Sequence, residues 1–358
     1  MAGEYKENLI IDGHKLHLHP DKVVQWQKTG DCYPIHIEIG VSNNCNQDCV
    51  FCALDFTRGK KNIETGAMLR ALEDMAKHEV RSVMFGGEGE PTIHRDLGLF
   101  VQKAKEYGLD VALTTNGVGF TQKLQEQCLP HLSWVKFSID AGTPEMYSKI
   151  HRVPKKHFSI LMENISNSSK LKREKNLPVT LGTQFLMIPQ SSNKEELEGV
   201  IRELNAAKPD YLSIKPYSDH PKSEKELIVD DNTYKKLERS LWELKSKANF
   251  EIIFRKASIE RIQEGNKYPE CYGAPFISLI DSGGNILPCN LFYGMEEFTY
   301  GNINEKSFSE IWEGEKRKEV LDKLRGIGVK NCRSGCRCDA GNRYLHRLKK
   351  PQPHDSFS

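Results

Sequence analysis

The chain alternates two patterns of hydrophobic and polar positions. Short β-branched or aromatic runs, read as strands at Ile35 to Gly40, Arg81 to Phe85, Asp110 to Thr115, Trp134 to Asp140, Val179 to Met187 and Tyr211 to Pro216, are separated by longer charged segments. Apolar residues recur in those segments at helical spacing, which predicts helices over Glu64 to His78, Leu97 to Tyr107, Thr121 to Cys128, Lys156 to Lys172, Lys194 to Ala207 and Asp231 to Ala248. Strand and helix in regular alternation predict a parallel α/β sheet, here a partial (β/α)6 TIM-like barrel. In such folds ligands bind beyond the carboxyl ends of the strands, so the loop after each strand is where chemistry is expected.

Beyond Phe254 the pattern changes. "CYGAPFISLIDSGGNILPCN" reads as a hairpin with a Gly-Gly turn, a helix is expected around Ser307 to Leu324, and "NCRSGCRCDAGNRYL" follows. The expected organisation is an N-terminal extension over 1–34, a barrel over 35–254, a small cysteine-rich unit over 255–348 and a disordered tail over 349–358. The cysteine-rich unit holds too few apolar residues to be stable without a metal cluster.

Charge and composition remove several classes of partner. The formal net charge is +2, from 51 Lys and Arg against 49 Asp and Glu, so no excess marks a nucleic-acid binder or a membrane-surface protein. No apolar run approaches the length of a membrane span, and the start lacks the apolar segment of a signal peptide, which leads us to expect a cytoplasmic protein. In a reducing compartment ten cysteines point to metal or redox chemistry rather than disulfides.

Eight of those cysteines are clustered. Cys45, Cys49 and Cys52 are spaced CxxxCxxC in "CNQDCVFC", directly after the first expected strand, and Cys271, Cys289, Cys332, Cys336 and Cys338 lie near the end. Three thiols leave one position of a four-ligand metal centre open. "CNQDCVFC" resembles the cluster loop of the radical S-adenosylmethionine (SAM) enzymes. The resemblance implies a [4Fe-4S] cluster held by Cys45, Cys49 and Cys52, with SAM completing the coordination of the fourth iron and giving a 5'-deoxyadenosyl radical on reduction. It also implies a low-potential electron donor such as flavodoxin or ferredoxin.

Further residues match that family at corresponding places. Gly86, Gly87 and Glu88 resemble its GGE motif, where backbone and carboxylate meet the methionyl amino group. Phe51 occupies the position of an aromatic near the adenine. Thr114, Thr115 and Asn116 after the third strand, Ser138 and Asp140 ending the fourth, and Arg152 match polar positions that contact SAM. The spacing of Cys271, Gly284 and Cys289 as C-x12-G-x4-C resembles the opening of SPASM and twitch extensions. A full SPASM pattern has more cysteines than remain in Cys332, Cys336 and Cys338, so the resemblance implies one auxiliary [4Fe-4S] cluster. Cys336 then stands either as a ligand or as a spare thiol able to give a hydrogen atom to a substrate radical. Structural zinc remains open as the alternative for the C-terminal cysteines.

Strand alternation places Glu38, Lys136, Gln184, Lys215 and Tyr217 where they could meet a hydroxylated or amino-bearing substrate, and charge inside an apolar strand needs a partner or a wet cavity. His94 and His220 lie in loops on the same rim. The expected reaction is hydrogen abstraction from a polar small molecule, dehydrogenating or epimerising a carbinol carbon of a sugar or aminocyclitol. The alternative is radical modification of a peptide or protein side chain. Only 34 residues precede the first expected strand, short for the leader-binding domain of many peptide modifiers.

Overall fold

The computed structural model describes residues 11–223, 227–333 and 335–357; the first ten residues of the expected extension and the last of the expected tail lie outside the described residues. The chain enters through α1 (Pro20–Thr29) and then builds strand and helix in turn. These are β1 (His36–Ile39), α2 (Thr65–Lys77), β2 (Ser82–Phe85), α3 (Leu97–Glu106), β3 (Asp110–Thr115), α4 (Gln122–Cys128), β4 (Trp134–Ser138), α5 (Pro144–His151), α6 (Lys156–Glu174), β5 (Thr180–Met187), α7 (Lys194–Ala207), β6 (Tyr211–Pro216), α8 (Asp231–Lys245) and β7 (Glu251–Phe254). After α9 (Lys256–Glu264) come β8 (Ile277–Ile280), β9 (Asn285–Leu287), β10 (Gly301–Asn302), α10 (Phe308–Glu313), α11 (Glu315–Ile327) and α12 (Asp339–Leu348).

The six expected strands and the helices between them are all present. Their ends are set by local chemistry. Glu64 caps α2 by accepting from the Gly66 and Ala67 amides, and Asn193 caps α7 by accepting from the Glu196 amide at 2.9 Å. In α2 the buried side chains Ala67, Met68, Ala71, Leu72 and Met75 fall on one face, which packs on the outer side of the sheet.

The sheet is larger than six strands. Its order is β10-β9-β8-β1-β2-β3-β4-β5-β6-β7, parallel from β8 to β7, with β9 and β10 antiparallel. The expected hairpin exists as β8 and β9, but β8 also pairs with β1 from His36 opposite Ile277 to Ile39 opposite Ile280. The cysteine-rich unit therefore shares the barrel's sheet. Among the described residues no pairing joins the two edge strands, β7 and β10, to each other, and the barrel is open.

Two helices replace the one expected over Ser307 to Leu324. Ser307 and Glu310 form a capping box at α10, and Gly314, with ψ 151°, breaks the helical path before α11. Alternate residues point to opposite faces of the strands. Ile37, Ile39, Val83, Phe85, Val135 and Phe137 are fully buried in the core beneath the helices, while Glu38, Lys136, Gln184 and Lys215 line the inner cavity. A second core joins Val23 and Trp26 of α1 to Tyr268, Tyr272, Phe276 and Leu345. Arg317, buried, reinforces that junction with two hydrogen bonds of 2.7 and 2.6 Å to Asp31 while stacking on Trp312 at 3.7 Å.

Candidate active site

At the carboxyl ends of β1 to β4 the loops interlock through backbone and buried polar contacts. The Asp48 and Val50 amides donate to the His151 and Ile150 carbonyls, and Gln47 Nε2 donates to Tyr147 Oη at 2.8 Å, so α5 clamps the cysteine loop. The Glu90 amide donates to the Asn44 carbonyl, tying the loop after β2 to the cysteine loop. Gly89 sits so close that a Cβ there would lie 2.2 Å from the Asn44 carbonyl oxygen. Fully buried, the Glu90 carboxylate accepts from Thr115 Oγ1 at 2.5 Å and the Asn116 amide at 2.7 Å, while Asn116 Nδ2 reaches Asn46 Oδ1 at 2.6 Å.

These loops enclose a cavity of about 290 Å3. Cys45, Cys49 and Cys52 line it together with Phe51, Gly87, Glu88, Thr114, Thr115, Asn116, Ser138 and Asp140. One site thus gathers the cysteine loop and most of the polar residues expected around it. Gly86 supports this wall from behind, packed against Thr114. Gly87, at φ 101°, takes a backbone conformation that side chains rarely adopt.

Arg152 is not in the lining. It is the left-handed C-cap of α5, exposed, and its guanidinium is spent on Asp48 at 3.0 Å. Arg58 and Arg333, which the pattern of strands did not single out, line the cavity instead, and Arg58 Nη2 donates to Cys52 Sγ at 3.6 Å. His151 was also missed; its Nδ1 lies 3.1 Å from Cys49 Sγ, its Nε2 lies 3.9 Å from Asp140 Oδ2, and burial lowers it to about 3, so the ring is neutral.

Burial raises the three carboxyls lining this cavity, Glu88, Glu90 and Asp140. Glu88 is pushed up to about 7, held by the Ser282 amide at 2.9 Å, and Asp140 to about 7, held by the Leu186 amide at 2.7 Å. The Ser282 contact brings the β8–β9 turn to the motif after β2. His94 and His220 are structural. Ring nitrogens of His94 meet the Ile63 carbonyl and the Asp96 amide, and those of His220 the Asn290 carbonyl and the Lys222 amide.

Inside the barrel a second cavity, of about 410 Å3, lies between the inner face of the sheet and the C-terminal cysteines. Cys271, Cys289, Cys332, Cys336 and Cys338 all line it, as do Glu38, Lys136, Gln184 and Lys215; Arg333 and Asn290 border both cavities. Tyr217 does not take part: β6 ends at Pro216, and Tyr217 is buried beyond it. Burial pushes Cys271 up to about 11 and Cys289 to about 12, whereas hydrogen bonds from Cys332 and Cys338 hold Cys336 well below the ordinary thiol value. Asn342 of α12 donates to Cys271 Sγ at 3.7 Å and accepts from the Gly273 amide at 2.7 Å, so α12 frames these thiols.

Three thiols at one cavity and five at the next, all free of disulfides, form the donor set that iron–sulfur clusters use. A family model described as the Radical SAM superfamily matches residues 39–204, and one described as an iron–sulfur cluster-binding domain, SPASM, matches residues 271–339. The chain belongs to the radical SAM superfamily and carries a SPASM domain. A [4Fe-4S] cluster, SAM and an auxiliary iron–sulfur cluster are its cofactors.

Relatives cover most of this radical SAM–SPASM chain. The cysteine-type anaerobic sulfatase-maturating enzyme of Clostridium novyi is 25% identical over 331 residues, 83% of this chain and 86% of that protein. The PqqA peptide cyclase of Bradyrhizobium diazoefficiens is 23% identical over 332 residues, 86% of this chain and 82% of its own. The crystal structure of Streptococcus suis SuiB bound to precursor peptide SuiA superposes with a TM-score of 0.68 at 18% identity, covering 94% of this chain and 78% of that one. No helix among the described residues is long and apolar enough to cross a membrane.

Proposed function

We propose that this enzyme modifies a side chain of a peptide or protein substrate by hydrogen abstraction. One observation carries the reading: over both the radical SAM and SPASM regions the chain aligns with a sulfatase-maturating enzyme and a peptide cyclase, across more than four fifths of its length. These relatives favour peptide modification over the carbinol oxidation or epimerisation of a sugar or aminocyclitol that the sequence had suggested. When bound, the [4Fe-4S] cluster and SAM supply a radical able to abstract hydrogen. This chain's own residues do the positioning.

Cys45, Cys49 and Cys52 would hold the first cluster, and four of Cys271, Cys289, Cys332, Cys336 and Cys338 the auxiliary one. Glu88, aimed into the first cavity, would take the ammonium of SAM; Phe51 would face the adenine; Thr115, Asn116, Ser138 and Asp140 would supply polar contacts around it. The second cavity, continuous in its lining with the first through Arg333 and Asn290, would receive the reacting side chain. A flavodoxin or ferredoxin would deliver the electron.

The test is to incubate anaerobically reconstituted enzyme, SAM and reductant with short peptides encoded beside its gene, and with sugar and aminocyclitol substrates in parallel. A peptide that loses hydrogens or gains a crosslink in step with 5'-deoxyadenosine supports the reading. Turnover of the small molecules alone would overturn it.

A further inference from the structure

Among the described residues the inner cavity gathers five cationic side chains, Lys136, Lys215, Arg255, Arg333 and Arg337, against one carboxylate, Glu38. Arg333 and Arg337 come from the cysteine segment and are engaged: Arg333 donates to Ser218 through Nε at 3.2 Å and Nη2 at 2.8 Å, and Arg337 pairs with Glu38. The thiols act on these two arginines, Cys336 and Cys289 on Arg333 and Cys338 on Arg337. Arg255, after β7, faces Asp12 at 3.5 Å.

Lys136 and Lys215 differ. They stand on β4 and β6, on either side of Gln184 of β5, and carboxylates act on them only at longer range, Glu38 and Asp140 on Lys136 and Asp140 on Lys215. Lys136 Nζ lies 5.8 Å from the centroid of the Trp134 ring. In register Lys136 lies opposite Gly182 and Lys215 opposite Leu186, one on each side of Gln184, and two ammonium groups lining one cavity repel each other and are poorly solvated. Burial first, and then the Arg255 and Arg337 charges, bring Lys136 to about 8; burial first, and then Lys136, bring Lys215 to about 7. Asp140, at the border of the SAM cavity, pulls both upward without reversing the shift.

We propose that Lys136 and Lys215, with Gln184 between them, form a recess that binds an anionic group of the substrate, a carboxylate or a phosphoryl group. This deepens the peptide reading and rests on it for where the substrate enters. The amino-bearing substrate expected from strand alternation would bring a further positive charge to a wall that already has two. An anion there would be held by two charge-assisted hydrogen bonds and an amide, in a cavity whose one carboxylate on β1, Glu38, is already paired with Arg337.

The recess has a pH signature. Lys136 and Lys215 face Arg255, Arg333, Arg337, Glu38 and Asp140, and their free values lie near 8 and 7. A bound anion favours the charged form of both, so binding takes up protons. Affinity is fullest below about pH 7, where both lysines are already charged, and falls by up to about a hundredfold per pH unit above about 8.

The experiment is isothermal titration of reconstituted, SAM-loaded full-length enzyme at pH 8 in two buffers of different ionisation enthalpy. The probes are a capped dipeptide carrying a Glu side chain, its Gln counterpart and inorganic pyrophosphate. We expect the Glu peptide or pyrophosphate to bind at least about tenfold more tightly than the Gln peptide, with proton uptake, and the preference to vanish in Lys136→Met/Lys215→Met with iron content unchanged. Preference for the Glu peptide assigns the anion to a carboxylate; binding of pyrophosphate alone assigns it to a phosphoryl group. The absence of any anion preference, or its survival in the double variant, would overturn the proposal. Should that variant lose iron or fail to fold, anion binding to the wild type without proton uptake overturns it equally. Failure of the peptide reading is a separate result, seen as unmodified peptide while the anion still binds.

Discussion

Replacing Gly89 by alanine tests whether the loop after β2 holds the cluster loop in place. The added Cβ would lie 2.2 Å from the Asn44 carbonyl oxygen, 2.6 Å from that of Ser42 and 2.9 Å from the Asn43 carbonyl carbon, all backbone atoms of the cysteine loop. No rotamer relieves such contacts, and the nearest is about 1 Å short of ordinary van der Waals distance, so one of the two backbones must move by that much. Overpacking of this kind costs about 1–3 kcal/mol, and a displacement of about 1 Å at a reacting centre costs about a hundredfold in rate. The variant, purified anaerobically and reconstituted, should melt a few degrees lower, retain less iron at Cys45, Cys49 and Cys52, and cleave SAM about a hundredfold more slowly. Gly326→Ala is the control: it lies in α11 with nothing within 4 Å of a built Cβ and should be neutral or stabilising by about 0.5–1 kcal/mol. If Gly89→Ala keeps full iron content and wild-type SAM cleavage, the interlocking of these loops is not what positions the cluster.

Because burial holds free Glu88 near 7 and an ammonium partner needs the carboxylate, SAM affinity should fall up to about tenfold per pH unit below 7, and Glu88→Gln should flatten that profile in equilibrium binding. His151→Phe removes the neutral ring beside Cys49 and should weaken iron retention about 10–100-fold and alter the electron paramagnetic resonance of the reduced cluster; an unchanged spectrum would argue against it. Asp31→Ala strands the buried Arg317 guanidinium, and because Asp31 is 38% exposed the loss should be about 1–3 kcal/mol by denaturant titration, against little loss for Arg317→Met.

The barrel was legible because strands buried on one face and helices with one apolar stripe have different periods, and β3, β6 and α7 fall where those periods place them. Elements short or dominated by polar residues were not. α5 carries "PEMYSKIH", in which the buried Tyr147, Ile150 and His151 give a single turn of signal, and β7 has only four residues. Missing α5 hid the clamp on the cluster loop and left His151 unnoticed, and it hid that Arg152 caps this helix, outside the cavity lining and paired with Asp48. The pairing of Thr143 before a proline, a helix start in sequence, was the available clue. Cluster cysteines were readable because their ligand spacing is local. Strand alternation put Glu38, Lys136, Gln184 and Lys215 on the inner face, but Arg255, Arg333 and Arg337 come from loops with no such period, so the full charge of the inner cavity was not readable.

The pairing of β8 with β1 carries a cost during synthesis. β1 is the first strand among the described residues, yet one of its two hydrogen-bonding edges finds its partner only when Ile277–Ile280 has been made. Through the translation of six strand and helix pairs that edge stays open to wrong partners, and the cysteine loop hangs from it. The long separation also slows closure, because loop entropy must be overcome before the pairing is gained. Until that pairing forms, the turn after β8 cannot bring the Ser282 amide to Glu88, so one wall of the first cavity waits on a segment far along the chain.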